Sequence, residues 1–361
     1  MIYVQPDISF IKALKKDYGS MLSTCMQCGA CTATCELSKD HENFPRKQII
    51  LAAWGMKDNL MGDPYPWLCH QCGDCSVTCP RDVRPGDILT GLRQAQYIHY
   101  SKPRFLAVWM QDPRFLPLLI VFPVVIIAFI LSLAGTLSIP EGPIDYSEFF
   151  PHAWLNGSFT FLFILSALGL ISGIRQYWKN MKSTSNESRE KITLRAIGSV
   201  LNTILTHRKF NSCIENKNRS WAHLFVFYGF ILLLFVTFFA ILSTIFFSYP
   251  LTFLNPIEIA GNIGALFLLI GTSSLILNRM VKKMQQKNSY SDWLFLISFW
   301  LLTVSGILVE TARFLNWSLA YQLYFFHLVM VWMIILYLPY NKFAHFLYRF
   351  VALVELQSRR K

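Results

Sequence analysis

Six long apolar runs fill most of the sequence after residue 115, at residues 116–137, 154–175, 221–247, 257–279, 293–313 and 319–340. Each run is close to or above the roughly 20 residues that a helix needs to cross a bilayer. A chain in lipid must satisfy its own backbone hydrogen bonds, so these runs are predicted to be helices. Only 15% of the residues are charged, against about 25% in soluble domains. This composition excludes a soluble enzyme, a disordered chain and a small disulfide-rich secreted domain.

Positive charge is distributed unevenly among the segments that connect these runs. Residues 175–219 contain ten Lys or Arg and three acids, residues 279–292 contain four Lys or Arg, and residues 341–361 contain five. Residues 138–153 have no Lys or Arg, and residues 248–256 have no charge. This alternation follows the positive-inside rule. We therefore expect a multi-pass protein of the inner (cytoplasmic) membrane with both termini in the cytoplasm, and no nucleic-acid partner despite the net charge of +12.

Two domains are predicted, a soluble one at residues 1–104 and a membrane one at residues 105–361. The first has no apolar run and carries 12 Lys or Arg against 10 Asp or Glu. Short helices are expected to carry its cysteines, on the cytoplasmic side. Within the membrane domain, the apolar residues of segment 192–205 fall on one helical face. This predicts an amphipathic helix lying at the membrane surface.

Eight of the nine cysteines fall in two groups with the same spacing. The groups read Cys25-Met-Gln-Cys28-Gly-Ala-Cys31-Thr-Ala-Thr-Cys35 and Cys69-His-Gln-Cys72-Gly-Asp-Cys75-Ser-Val-Thr-Cys79-Pro80. In a C-x2-C-x2-C-x3-C repeat, three thiolates hold one cubane and the fourth ligates the other cluster. The spacing therefore predicts two [4Fe–4S] clusters, one held by Cys25, Cys28, Cys31 and Cys79, and the other by Cys69, Cys72, Cys75 and Cys35.

The alternative to iron is a pair of structural zinc sites, but zinc prefers two C-x2-C knuckles separated by a longer loop. Gly29 and Gly73 are expected to let backbone N–H groups approach the sulfurs, which tunes the cluster potential. His70 stands inside the second repeat, where four cysteines already complete the cluster, so we expect a surface role for it. Cys213 is predicted to be an unpaired thiol near the membrane surface.

Five histidines flank or enter the apolar runs, where ionisable groups are rare and usually functional; they are His152, His207, His223, His327 and His345. His327 and His345 are 18 residues apart, which is five helical turns or roughly 27 Å of rise. They share one helix face if the last span continues to His345, and one helix could then ligate two stacked haems. Pro339, between them, is a candidate position for a kink.

At the inner side of the membrane, His223 and His345 have matching depths and are predicted to ligate a haem b. Gly229 is expected to make room for the macrocycle. His207 follows the amphipathic segment on the same side and is an alternative to either ligand.

At the outer side, His327 is predicted to pair with His152 as ligands of a second haem b. The alternative is a single haem, with His327 at a quinone pocket.

These residues carry a family resemblance. Residues 1–104 resemble the small two-cluster iron–sulfur component of heterodisulfide reductases. The remainder resembles their membrane cytochrome b component and, more distantly, the gamma chain of respiratory nitrate reductase. The fusion is similar to the C-type components of the quinone-interacting membrane-bound oxidoreductase (Qmo) family. The segments that carry the resemblance to the cytochrome component are His207-Arg-Lys-Phe210-Asn-Ser-Cys213, Arg219, Ala222-His223, Gly229-Phe230 and Pro339-Tyr-Asn-Lys342-Phe343-Ala344-His345.

The predicted fold is mainly α, a small α-helical two-cluster ferredoxin-like domain fused to a six-helix transmembrane cytochrome b bundle. The nitrate-reductase-like cytochrome carries one histidine pair ten residues apart and another eighteen apart. This chain matches the second pair at His327 and His345 and the first at His223 only. The resemblance also implies flavoprotein partners like heterodisulfide reductase A, and electron exchange with adenylylsulfate reductase.

Clusters and haems move single electrons, whereas a quinol delivers two electrons and two protons. A chain with both suits an electron-transfer component between the (mena)quinone pool and a cytoplasmic flavoprotein or iron–sulfur partner, in dissimilatory sulfur metabolism. Glu310 and Arg313 are the candidate quinone-site residues, and the alternative for them is a simple ion pair. Two other functions stay open: the membrane component of a heterodisulfide-reductase-like complex with a different donor or acceptor, and a membrane anchor with structural metal sites.

Overall fold

The computed structural model describes residues 5–19, 21–39, 43–184, 191–207, 217–246, 255–281 and 289–359. It is 79% helical, and these residues contain no strand. Cys213 and His41 lie outside them. The predicted mainly α class is therefore confirmed.

Short helices build the N-terminal domain. They are α1 (Ile8–Asp17), α2 (Ala30–Thr34), α3 (Arg46–Ala53), α4 (Lys57–Met61), α5 (Asp74–Val77) and α6 (Pro85–Tyr100), with 3-10 turns at Leu22–Thr24, Glu36–Lys39 and Tyr65–Leu68. Their shared core is apolar and includes Leu14, Leu22, Phe44, Ile49, Leu60, Ile88 and Leu92. Helix α6 is the longest of them, and it contacts α1, α3, α4 and α5. This core holds together a domain whose cysteine segments have little regular structure of their own.

Within the described residues, six helices are long and apolar enough to span a membrane, as the sequence predicts. They are α8 (Leu116–Ala134), α10 (His152–Thr184), α12 (Lys217–Phe246), α13 (Pro256–Val281), α14 (Tyr290–Phe314) and α15 (Ala320–Tyr337). Before them lie α7 (Arg104–Trp109) and a 3-10 turn at Pro113–Phe115. Between or after them lie α9 (Tyr146–Phe149), α11 (Leu194–Leu205) and α16 (His345–Ser358), with 3-10 turns at Leu338–Tyr340 and Lys342–Ala344. Helix α10 continues past its predicted end at residue 175 as far as Thr184, because its last turns pack on the N-terminal domain.

Helices α12 and α13 pack with their backbones in close approach. A Cβ added at Gly229 would lie 2.9 Å from the carbonyl oxygen of Gly264, and one at Gly271 would lie 2.8 Å from that of Ala222. Small residues permit such contacts between membrane helices. The expectation that Gly229 makes room for a macrocycle is therefore wrong, because this glycine faces the neighbouring helix.

The last membrane helix does not continue to His345. Helix α15 ends at Tyr337, and a 3-10 turn containing Pro339 follows it. Asn341 is extended (φ −144°, ψ −165°), and its side chain accepts a hydrogen bond of 2.8 Å from the N–H of Phe343. Proline lacks the N–H that would continue the helix, and the asparagine side chain starts a new turn instead. His327 and His345 thus lie on separate helices, and the argument from one shared face does not hold.

An aromatic cluster joins the N-terminal domain to the membrane helices. The ring of Trp67 stacks on that of Tyr348 with centroids 5.0 Å apart, and Tyr177 lies 5.3 Å from Tyr100. Gly173 permits this approach, since a Cβ there would lie 2.9 Å from the carbonyl oxygen of Tyr100. The N-terminal domain and the C-terminal helix α16 therefore sit together at one end of the bundle.

The amphipathic helix α11 begins two residues after its predicted start. Thr193 caps it by accepting a hydrogen bond from the N–H of Ala196 at 3.2 Å. The helix packs against α16, and the Tyr228 hydroxyl of α12 donates to the carbonyl oxygen of Leu205 at 2.9 Å. These contacts bring His207, which follows α11, to the end of the bundle that carries the N-terminal domain.

Candidate functional site

The first thiol pocket is lined by Cys25, Cys28, Cys31 and Cys79. Gly29 precedes α2 in the left-handed region (φ +85°), which glycine adopts without strain. This turn places three cysteines of the first repeat around one cavity, and the last cysteine of the second repeat completes it.

The second thiol pocket is lined by Cys35, Cys69, Cys72 and Cys75. Its turn repeats that of the first pocket, since Gly73 (φ +96°) precedes α5 and Gln71 (φ +55°) matches Gln27 (φ +57°). Helices α2 and α5 pack together, and the hydroxyl oxygens of Thr34 and Thr78 lie 3.2 Å apart. The crossed grouping of three cysteines plus one is therefore present in both pockets.

The chemistry of these pockets fits a polynuclear cluster better than a single metal ion. Four thiolates on one zinc ion at about 2.3 Å would place their sulfurs about 3.8 Å apart. The described residues contain no three His, Cys, Asp or Glu side chains close enough to bind one ion. None of the eight cysteines in the two groups is in a disulfide.

Hydrogen bonds to sulfur and burial set the electrostatics of the pockets. The N–H groups of Gln71 and Val83 donate to the sulfurs of Cys69 and Cys79 at 3.3 and 3.4 Å. Burial raises the pKa of Cys35 to about 12. The thiolate form therefore needs compensating positive charge, which a metal cluster supplies when bound.

The structure corrects the expectation of a surface role for His70. Its side chain is only 6% exposed, and its ring nitrogens lie 3.1 and 3.2 Å from Nη2 of Arg349 on α16. The residue is held at the junction between the N-terminal domain and the membrane helices, where tertiary contacts outweigh its position in a loop.

A cavity of about 220 Å³ lies at this junction. Its lining includes Cys69, His70 and Gln71 of the second thiol pocket together with His207, His223 and His345. We call this space the histidine cavity. The predicted inner pair, His223 and His345, thus shares one cavity with the alternative ligand His207, directly beside the second thiol pocket.

The spacing of His223 and His345 fits one metal atom between them. Their ring centroids are 6.2 Å apart, with ring planes at 87°. An imidazole nitrogen binds a metal ion at about 2.0 Å, and that nitrogen lies about 1.1 Å from the centre of its own ring. Two imidazoles on opposite sides of one metal atom therefore have ring centres about 6 Å apart. Nδ1 of His345 donates to the carbonyl oxygen of Lys342, and Nδ1 of His223 lies 2.9 Å from Nε2 of His207. Burial lowers the pKa of His345 to about 4, which keeps the imidazole neutral, as a ligand must be.

The histidine cavity is strongly basic. Its charged lining residues, among those that the structure describes, are Arg93, Arg219, Arg279, Lys342 and Arg349. Lys342 forms an ion pair with the buried carboxylate of Asp292. The backbone carbonyl oxygen of Asp292 accepts a hydrogen bond of 3.2 Å from Arg279. Such a lining favours a ligand with negative groups.

His327 lies on α15 against α14. Its Nδ1 is 3.0 Å from the Ser305 hydroxyl, and a Cβ at Gly306 would lie 3.1 Å from its Cε1. His152 is the first residue of α10, at the end of the bundle away from the N-terminal domain. The contacts described for His327 are with α14, and its pairing with His152 stays a prediction.

Glu310 and Arg313 lie near the far end of α14, and no ion pair joins them in the described residues. Glu310 instead accepts a hydrogen bond of 3.1 Å from the Asn262 amide on α13. The Arg313 guanidinium lies over the ring of Phe314 at 5.2 Å. The Glu310 carboxylate is thus held by a contact with the neighbouring helix.

Reasoning from the sequence missed the arginines that approach the second thiol pocket. Arg219 donates to the carbonyl oxygen of Gln71 at 2.8 Å, and Arg93 donates to that of Cys69 at 3.0 Å. A usable signal was present, since Arg219 lies four residues before His223 and Arg349 four residues after His345, one helical turn in each case.

Two cubane-type thiol pockets joined to six membrane helices define a membrane-associated iron–sulfur electron-transfer protein. Residues 21–83 match the 4Fe-4S dicluster domain. Residues 111–361 match the family described as Citrate utilization protein B, and the chain belongs to this family. Citrate utilization protein B of Escherichia coli is 25% identical over 94% of this chain and 92% of the relative.

The N-terminal domain is also similar to archaeal proteins. A heterodisulfide reductase C-like protein of Archaeoglobus profundus is 37% identical over 22% of this chain and 43% of the relative. The C component of the H(2):CoB-CoM heterodisulfide,ferredoxin reductase of Methanothermobacter marburgensis is 35% identical over 23% of this chain and 45% of the relative. The match to this chain thus spans less than half the length of these relatives. The predicted likeness of this domain to the small iron–sulfur component of heterodisulfide reductases is confirmed. No solved structure matches the chain.

Proposed function

We propose that this protein passes electrons between the (mena)quinone pool and a cytoplasmic flavoprotein or iron–sulfur partner, through two [4Fe–4S] clusters and haem b. The observation that carries this proposal is the histidine cavity, whose lining combines the second thiol pocket with His223 and His345. Bound there, a metal between the histidines would lie next to the thiols of the second cluster. When bound, the clusters and the haem would accept and donate single electrons.

The eight clustered cysteines would hold the two clusters in the crossed arrangement. Cys25, Cys28, Cys31 and Cys79 would hold the first, and Cys35, Cys69, Cys72 and Cys75 the second. The N–H donors to the sulfurs of Cys69 and Cys79 stabilise their thiolate forms.

His223 and His345 would hold haem b through their Nε2 atoms. The His207 ring contacts Nδ1 of His223, and the Lys342 carbonyl contacts Nδ1 of His345. Each contact orients the imidazole. The basic lining of the histidine cavity would balance the negative carboxylates of a haem. His327 would ligate a second haem with His152, and without that haem it would belong to a quinone pocket.

Glu310 and Arg313 would form part of the quinone site at the far end of the bundle. The carboxylate of Glu310 would exchange protons with the quinol, and its bond to Asn262 would orient it. With both termini and the N-terminal domain in the cytoplasm, this site would face the outer side of the inner membrane.

The soluble partner that we propose is a flavoprotein like heterodisulfide reductase A. The link to adenylylsulfate reductase rests on the Qmo resemblance alone. The relative that matches 94% of this chain is named for citrate utilization. This favours a second candidate partner, a flavoprotein that oxidises or reduces an organic acid.

The decisive test is a metal and haem count on the purified membrane complex, with its partner proteins identified by mass spectrometry. We expect two four-iron clusters, haem b absorption bands after dithionite reduction, and reduction of that haem by a menaquinol analogue. A colourless protein, or one that contains zinc, would contradict the proposal. A haem-free iron–sulfur protein would leave the membrane-anchor alternative. Identification of the co-purified flavoprotein separates the sulfur and organic-acid partners.

A further inference from the structure

Two arginines reach from the histidine helices to the second thiol pocket. Arg219 lies one turn before His223 on α12, and its Nη1 donates to the carbonyl oxygen of Gln71 at 2.8 Å. Arg349 lies one turn after His345 on α16, and its Nη2 lies 3.1 Å from Nδ1 of His70. Each candidate haem ligand thus has, on its own helix, an arginine that contacts the segment between Cys69 and Cys72.

The segment that they contact needs external support. Gln71 has φ +55°, a left-handed conformation that costs free energy in any residue with a Cβ. Its N–H donates to the sulfur of Cys69, so a change in this turn moves a cluster-binding thiol. Arg93 supports the same turn from within the N-terminal domain by donating to the carbonyl oxygen of Cys69. The two membrane-domain arginines connect this turn to the helices that carry His223 and His345.

We propose that Arg219 and Arg349 are positioning residues that hold the turn at His70 and Gln71 against the histidine cavity and so set the rate of electron exchange between the second cluster and the haem. The electron step rests on the proposed function. It moves one electron from the reduced cluster to the haem iron, with no bond made or broken and no proton transferred. The arginines act through the turn and touch neither the reacting iron nor a substrate.

The first thiol pocket offers a matched control. Arg46 donates to the side-chain oxygen of Gln27 at 3.3 Å, and Gln27 is the counterpart of Gln71 in the first repeat. Arg46→Gln therefore removes an arginine from the equivalent turn of a pocket that does not share the histidine cavity.

The experiment compares Arg219→Gln, Arg349→Gln and Arg46→Gln in the purified complex. Hydrogen exchange of peptides covering the two turns reports their opening, and loss of one charged hydrogen bond should raise it about tenfold. EPR reports the two clusters, and absorption after rapid photoreduction of the clusters reports the rate at which the haem is reduced. We expect faster exchange at the second turn only, and haem reduction about tenfold slower, for the Arg219 and Arg349 variants. Arg46→Gln should affect the first turn only and leave the rate between the second cluster and the haem unchanged.

Unchanged exchange at the second turn in both glutamine variants would overturn the inference while leaving the proposed function intact. Faster exchange with an unchanged rate of haem reduction would overturn the role in electron transfer. A wild-type complex that contains no haem would refute the proposed function, and the exchange data would still decide whether the arginines hold the turn. Where a glutamine variant does not assemble, Arg349→Lys, which keeps the charge and one donor, should restore part of the protection.

Discussion

His207 Nε2 lies 2.9 Å from His223 Nδ1, although the two residues are 16 apart in sequence. Where Nδ1 of His223 carries the proton and donates to Nε2 of His207, the Nε2 of His223 is unprotonated and would face a metal. Nδ1 of His345 is likewise engaged by the Lys342 carbonyl. Both candidate ligands thus have a partner at Nδ1, and their ring centroids are 6.2 Å apart, which favours a role for His207 beside them over a role in place of either.

Loss of His207 should therefore weaken haem binding without abolishing it. Removing the partner of a metal-ligating histidine typically costs about 10- to 100-fold in metal affinity. We expect His207→Ala to retain haem with reduced affinity and a shifted midpoint potential, and His207→Gln to restore part of the affinity. Haem titration and spectroelectrochemistry measure both quantities. Complete loss of haem in His207→Ala would show that His207 is itself a ligand.

Replacement of His345 should remove the inner haem. His345 is not among the residues that line the two thiol pockets. The EPR signals of both clusters should therefore persist in His345→Ala. His99→Ala is the control, because this ring packs on Tyr100 in the N-terminal domain, away from the lining of the histidine cavity. The pyridine haemochrome spectrum gives the haem content. An unchanged haem content in His345→Ala would refute the pairing with His223.

Single cysteine substitutions should separate the two clusters. Cys79→Ser should damage the cluster of the first thiol pocket, because Cys79 lines that cavity despite belonging to the second repeat. Cys35→Ser should damage the other cluster. Redox-poised EPR distinguishes the two signals. The reverse assignment, with each substitution affecting the cluster of its own repeat, would contradict the crossed arrangement.

The Glu310 carboxylate should matter for quinol oxidation and not for assembly. Glu310→Gln removes the proton-exchanging group but keeps an oxygen that can accept from Asn262. We expect at least a roughly tenfold loss in quinol-dependent haem reduction, with reduction by dithionite unchanged. Glu148→Gln is the control, since this exposed acid lies in the segment before α10. Equal rates of quinol-dependent haem reduction in wild type and Glu310→Gln would show that Glu310 is not part of the quinone site.

Helix packing between α12 and α13 should be sensitive to a single methyl group. Gly229→Ala places a Cβ 2.9 Å from the Gly264 carbonyl oxygen, and such overpacking costs about 1–3 kcal/mol. Gly157→Ala, on α10, is the matched control because nothing lies within 4 Å of its added Cβ. Thermal unfolding in detergent compares them. Equal melting temperatures for Gly229→Ala and Gly157→Ala would mean that α12 and α13 can move apart at little cost in free energy.

The cysteine pockets could be predicted well because their information is local. Spacing of two and three residues determines which thiols can surround one cavity, and Gly29 and Gly73 provide the left-handed turns that this geometry needs. Both cysteine repeats have the same spacing and the same turn. The crossed grouping of the thiols therefore follows from the sequence. The six membrane helices are equally local, since length and hydropathy suffice to identify them.

The histidine site could be predicted only in part. The sequence by itself paired His223 and His345 by their matching depths, and that pairing stays a prediction. It placed His345 on one helix with His327 by extending the last span through Pro339, where the chain in fact turns at Asn341. It also assigned Gly229 to a macrocycle and His70 to the surface. Which face of a helix meets its neighbour depends on the packing of residues far apart in the chain, and no local spacing records that. Only the tertiary structure could bring His207 to His223, and Arg219 and Arg349 to the second thiol pocket.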